Sequence, residues 1–268
     1  MKYSFMTLAT PDWEIEQIVA AAKKYGYDGV EIFADKGHKH GIGLQTPSSR
    51  RRYIKRILED SGIAISCMLT SLRFSSPDRS VREENLQRLV RYADLARDLG
   101  TPYLRIFGGR RSESSSWEEA KGYVIDSLHK AQELLQGREV MALMETHDDF
   151  ALGAQVAEIV AQVNKGNIGA LWDIMHPFSH GEEPEETYKY LWKFVRHFHI
   201  SDRAGKEEKS KEVPVGQGVM PIREIITIAK EENFAGFFSG QWWPKLGEPD
   251  VVLPQFIRRL KEFEAEIS

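Results

Sequence analysis

Short apolar runs alternate along this chain with longer stretches whose apolar residues recur at helical spacing. The runs predict strands over 3–8, 29–33, 63–69, 103–107, 140–145, 168–172, 195–200 and 236–241. After the first of them, Ile15, Ile18, Val19 and Ala22 fall on one helical face, with Thr10-Pro11 as N-cap and first turn and Gly26 as the stop. The same spacing predicts a helix over about 48–60 and a long one carrying Val81, Leu86, Leu89, Val90 and Ala93 that stops at Gly100. Further helices are expected near 117–135, 152–163, 185–193, 221–231 and 252–267. The Gly/His/Lys-rich stretch 34–46 and the polar stretch 201–218 are expected as loops, the second lying over the functional site. Eight strands alternating with eight helices are the pattern of a parallel, helix-covered sheet, here one (β/α)8 barrel domain over 1–268.

Several runs end abruptly on a side chain that can bind a metal or move a proton. VMALME ends at Glu145 with His147 two residues on, and the run before Asp173 is followed by His176. VRHFH ends at His199, and FFSGQ ends at Gln241. In a barrel such ends gather at one mouth, where active sites form. Two carboxylates, one imidazole and one amide carbonyl can surround Mn²⁺, Mg²⁺, Zn²⁺ or Fe²⁺, the mixed O/N set choosing no single metal. A cation there would polarise a sugar's carbonyl and hydroxyl oxygens and stabilise an enediolate, with Glu145 the preferred base for the proton alpha to the carbonyl.

Each residue also has a plainer reading. A strand-end Glu or Asp serves as a solvated loop residue or helix N-cap, and His147 and His176 as hydrogen-bond partners of loop backbone. His197 and His199 flank Phe198, so alternation puts both on one face, though one of them suffices for a ligand. His38 and His40 are expected to be solvated, and the charged run 206–211 is expected to be a solvated loop. Trp242-Trp243 suit either stacking on a sugar or packing at the rim. Arg105, Arg110 and Arg111, near the end of the fourth strand, are suited to an anion but carry no claim of a phosphate site.

The length of 268 residues, 41% hydrophobic and 28% charged, allows one sizeable core. A formal charge of −4 argues against nucleic acid as the main partner. The lone Cys67 lies in an apolar run and reads as an inert buried thiol. MKYSFMTLATPDW lacks the apolar core of a signal peptide, and no stretch approaches the ~18 apolar residues of a membrane span. These features predict a cytoplasmic protein with a small-molecule partner, no membrane contact, and homo-oligomerisation left open.

Taken in order, MALMETHDDF, ALWDIMHPF, FVRHFHISDR, VPVGQGVMP and FFSGQWWP resemble the sugar phosphate isomerase/epimerase family with the xylose isomerase-like TIM barrel. The resemblance covers essentially the whole chain and is strongest from Glu145 onward. It implies a metal-dependent isomerase or epimerase of a small sugar or sugar-derived ketone. It places the family's Glu, Asp, His and second Glu ligands on Glu145, Asp173, His199 and Gln241. It also assigns substrate or metal-site contacts to His176 and a substrate oxygen to Arg203, with His147 and Trp242 as further substrate contacts. Gln241 departs from the family pattern. An amide oxygen can ligate a metal but is no general base, and the ligand charge drops from −3 to −2. A two-base epimerisation is thereby weakened. One-base isomerisation, dehydration as in the family's inosose dehydratases, and non-catalytic sugar binding survive. An endonuclease IV-like hydrolase would need more His and Glu ligands and a basic groove than these motifs offer.

Overall fold

The apolar runs become the staves of a closed barrel. The computed structural model describes residues 1–35, 37–163, 166–242 and 246–267. Its strands are β1 (Lys2–Met6), β2 (Gly29–Phe33), β3 (Ala64–Arg73), β4 (Tyr103–Phe107), β5 (Met141–Glu145), β6 (Ile168–Asp173), β7 (Val195–Ile200) and β10 (Phe237–Gly240), with a small ribbon of β8 (Asp202–Arg203) and β9 (Glu212–Val213) between the last two. Hydrogen bonding closes the ring in the order β1-β10-β7-β6-β5-β4-β3-β2, and every pairing within the ring is parallel. The helices are α1 (Ile15–Tyr25), α2 (Ser48–Ser61), α3 (Arg79–Leu99), α4 (Trp117–Leu135), α5 (Gly153–Val163), α6 (Met175–Ser179), α7 (Pro184–Leu191), α8 (Ile222–Glu231) and α9 (Pro249–Glu266). The expected (β/α)8 TIM barrel is the fold observed.

Side-chain alternation along the strands divides the interior in two. Phe5, Val30, Ile32, Leu104, Ile106, Met144, Trp172, Phe198 and Phe238 join the large cluster shared with the helices. Phe198 is central to it, stacked on Phe238 at 4.6 Å and packed on Trp172 at 5.4 Å. The alternate positions face into the barrel, where only a small apolar cluster forms, of Met6, Leu8, Phe33, Cys67 and Leu69. The remaining inward positions are unusually polar: Glu31, Arg105, Glu145, Asp173, His197, His199 and Ser239 are all buried.

The structure differs from the sequence expectations at identifiable places. Thr10 does not cap α1: its hydroxyl turns back to Thr7 O at 3.5 Å and its carbonyl accepts from Trp13 N. The cap is Glu14, whose N–H donates to Gln17 Oε1 at 2.9 Å, so the helix starts at Ile15. β1 stops at Met6, and Thr7–Ala9 form one 3-10 turn. The loop after β7 carries the β8–β9 ribbon, and α6 is a short helix the periodicity did not predict. His40 is buried rather than solvated. Its Nδ1 accepts from Ile42 N at 3.0 Å, and burial, with His38 beside it, pushes its pKa down to about 4. Among the described residues no helix is long and apolar enough to cross a membrane.

Candidate active site

Parallel register brings the polar strand ends together. Asp173 on β6 pairs with His199 on β7, which pairs with Ser239 on β10, while Phe107 on β4 pairs with Glu145 on β5. Glu145, Asp173 and His199 are thereby gathered, each offering a ligand atom, all within 4.8 Å of one another. Thr146 ties the β5 and β6 ends: its hydroxyl donates to Asp173 O at 3.1 Å and accepts from Asp173 N at 3.0 Å. Asp173 Oδ1 accepts from Met175 N at 2.9 Å, fixing the carboxylate at the start of α6.

Glu145 has no exposure to solvent and is held from two sides. Arg105 Nη1 donates to Oε2 at 2.7 Å, with its guanidinium 3.9 Å above the Phe107 ring. His199 Nδ1 lies 2.6 Å from Oε1. Burial alone would neutralise the acid, but Arg105 and His199 outweigh it and hold Glu145 well below the usual carboxylate range. His199 reaches the other way through Nε2 to Glu31 Oε1 at 3.0 Å. Burial disfavours its imidazolium, yet the Glu31 and Glu145 carboxylates raise its pKa to about 10. Glu31 itself, despite complete burial, is kept ionised by His199 and His197.

Above this group opens a cavity of about 210 Å³, lined among others by Asp173, His176, His147, Arg203, Glu208 and Gln241. His176 is buried, its ring 4.2 Å from that of His147 and its Nδ1 3.3 Å from Glu208 Oε1. Burial lowers its basicity, but Glu208 and the nearby carboxylates raise its pKa on balance. Contact with His176 lowers Glu208 to about 2. Gln241 comes to the cavity on a backbone N–H that donates to Ile200 O at 2.9 Å. Arg203 also borders the cavity, but its Nη1 is spent on the carbonyls of Glu208 and Ser210, both at 3.0 Å. Trp242 stands apart: it packs on Phe256 at 4.7 Å and lines a neighbouring cavity of about 470 Å³ beside α9. Trp243 lies outside the described residues.

Two residues at the centre of this network escaped the sequence reading. Glu31 was only a strand-end marker, and Arg105 an arginine suited to some outside anion. The available signal was a lone charge inside each apolar run, GVEIF and YLRIF, at a position that alternation turns inward. Glu208, in a charged run expected to be solvated, is the third.

A barrel with two carboxylates and an imidazole at its mouth fits a divalent cation: the donors are of the right kind, ionisable and convergent. The family model for the xylose isomerase-like TIM barrel matches residues 19–263, and the chain belongs to that family. Among curated proteins, the 3-dehydroshikimate dehydratase of Bacillus anthracis is 21% identical over 263 residues, 91% of each chain. The fructoselysine 3-epimerase of Escherichia coli O157:H7 is 22% identical over 277 residues, 97% of this chain and 98% of that one. Among solved structures, the IOLI protein with a zinc atom bound superposes with a TM-score of 0.82 at 19% identity, over 100% of this chain and 98% of its own.

Proposed function

We propose that this chain is a divalent-cation-dependent isomerase or epimerase of a small sugar or sugar-derived ketone. The observation that carries the reading is the convergence of Glu145, Asp173 and His199 from three successive strands. The epimerase and dehydratase names among its relatives, and the zinc in one fold neighbour, support it. Glu145, Asp173, His199 and the Gln241 amide oxygen would hold the ion. Such an ion, Mn²⁺, Mg²⁺, Zn²⁺ or Fe²⁺, supplies Lewis acidity toward carbonyl and hydroxyl oxygens.

The chain's own groups supply the proton chemistry. Glu145 accepts the proton from the carbon alpha to the carbonyl, ionised and oriented by Arg105 and His199. His176, whose Nδ1 faces Glu208, offers its other nitrogen to a substrate oxygen. His147 borders the same space, and Arg203 backs it through the loop. The walls of the roughly 210 Å³ cavity are polar, suiting a small carbohydrate rather than nucleic acid or lipid. The buried thiol of Cys67 suits a reducing cytoplasm, and no charge pattern opposes a homo-oligomer.

A second reading follows from Gln241. With no carboxylate at that strand end, Glu145 can take a proton but no matching strand-end base returns one to the opposite face. That arrangement also suits a dehydratase, in which proton removal is followed by loss of a hydroxyl. Two measurements test these readings together. Metal analysis should find about one divalent ion per chain, lost in Asp173→Ala. Proton NMR in D₂O, over a panel of 2-ketoses and ketone-bearing polyols, should reveal carbon–hydrogen exchange that drops ~10²–10⁴-fold in Glu145→Gln. Water loss in place of exchange selects the dehydratase. Sugar binding with neither outcome under any of the four cations would leave a binding barrel.

A further inference from the structure

Resting on the cation site just proposed, the next question concerns the carboxylate beneath it. Glu31 has no exposure, and neither it nor His197 borders the mouth cavity, so it meets no substrate directly. Its two oxygens are nevertheless fully engaged. Oε1 lies 3.0 Å from Nε2 of His199 and 3.0 Å from Nε2 of His197, while Ser239 Oγ donates to Oε2 at 2.7 Å. These contacts come from three strands, β2, β7 and β10, and together they offset the cost of burying a charge.

We propose that Glu31 is a positioning residue. It fixes the tautomer and ring plane of His199, so that Nδ1 rather than Nε2 is presented to the cation held by Glu145 and Asp173. An ionised carboxylate only accepts, so the Nε2 facing it must carry the proton. A neutral imidazole then has its lone pair on Nδ1, the atom that lies 2.6 Å from Glu145 Oε1. A metal-binding histidine whose second nitrogen is held by a carboxylate gains both orientation and basicity. The geometry also explains the His-x-His pattern of β7. His199 faces the mouth group, and His197, one layer deeper, shares Glu31 with it.

Glu31, His197 and His199 also lie close enough together to suggest a second ion between them. That reading is weaker. The Glu31 oxygen that would ligate already accepts from His199, its other oxygen accepts from Ser239, and the group carries a single carboxylate for an ion to meet.

The test uses the full chain with Zn²⁺ or Mn²⁺ alone as the probe. In ¹⁵N-histidine spectra of the wild-type Zn²⁺ form, His199 should carry its proton on Nε2 and be metallated on Nδ1. A proton on Nδ1 overturns the proposal with no variant needed. Glu31→Leu, with its fold checked by circular dichroism, should weaken Mn²⁺ binding by ~10–100-fold, and Glu31→Gln by less because an amide oxygen still accepts. Mn²⁺ affinity unchanged in Glu31→Leu also overturns it. Asp173→Ala separates the two levels. If that variant loses the ion while Glu31→Leu keeps it at full affinity, the site stands and the role of Glu31 falls. If wild type binds neither ion, both fall. Should Glu31→Leu not fold, the wild-type spectra decide.

Discussion

Arg105 and Glu145 are both withdrawn from water, and each is tolerable only because of the other. Their side chains are 3% and 0% exposed at a separation of 2.7 Å. Removing one member of such a pair strands an uncompensated charge, which costs more than the pair itself contributes. Arg105→Met is therefore expected to lower the unfolding free energy at neutral pH by about 3–5 kcal/mol, read from urea denaturation. Adding Glu145→Gln should recover part of that loss, because the stranded carboxylate is gone; a purely additive double variant would refute the coupling. Arg105 also sets a condition on catalysis. It takes Oε2 of Glu145, so one oxygen, Oε1, remains toward His199 and the mouth.

The excursion between β7 and α8 shows how an element is made from one side chain. Asp202 Oδ1 accepts from Arg203 N and Met220 N at 2.9 and 3.2 Å, and Oδ2 accepts from Gly216 N and Gly218 N at 2.8 and 3.0 Å. The tip is latched across the mouth, with Lys206 2.6 Å from Glu183 and 4.1 Å from the Phe178 ring, and Glu208 against His176. Asp202→Ala should loosen this segment while leaving the barrel intact. A loss of about 2 kcal/mol in local opening would speed trypsin cleavage at Lys206–Lys211 by roughly 30-fold, with little change in the melting of the barrel. Unchanged cleavage would mean that the latches at the tip, not Asp202, hold the segment. This element also marks how far the sequence could be read. The staves were legible because each is an apolar run, and Glu145, Asp173 and His199 because each ends one. The Asp202 ribbon and Glu31 were not, since their partners lie far along the chain (Gly218 and Met220 for one, His199 and Ser239 for the other). Periodicity reports which face a residue takes; it is silent on which charge waits there from another strand.

At the scale of the whole molecule, the buried histidines give stability a pH dependence with two limbs. His40 is held neutral, its pKa pushed to about 4 from the ordinary 6.5. Unfolded chains bind that proton more readily, so its contribution is complete above about pH 6.5 and is lost as the pH falls toward 4. His199 has the opposite sign. Raised to about 10, it contributes fully below about pH 6.5 and loses that contribution as the pH climbs toward 10; His176, raised mainly by Glu208, acts in the same direction. The depressed acids Glu31 and Glu145 add losses only below the ordinary carboxylate range, outside this window. Chelator-treated protein should thus be most stable near pH 6.5, with urea-derived free energies falling on both sides. The acid limb should shrink in His40→Asn, whose amide oxygen can replace Nδ1 as acceptor for Ile42 N, and its full height is at most about 3 kcal/mol. The alkaline limb answers to the proposed site. A cation on His199 Nδ1 occupies the position of the proton whose loss creates that limb, so adding Mn²⁺ should flatten the decline above pH 7 while leaving the acid side to His40. An alkaline limb of equal depth with and without Mn²⁺ would separate His199 from the cation and remove the central ligand from the proposed chemistry.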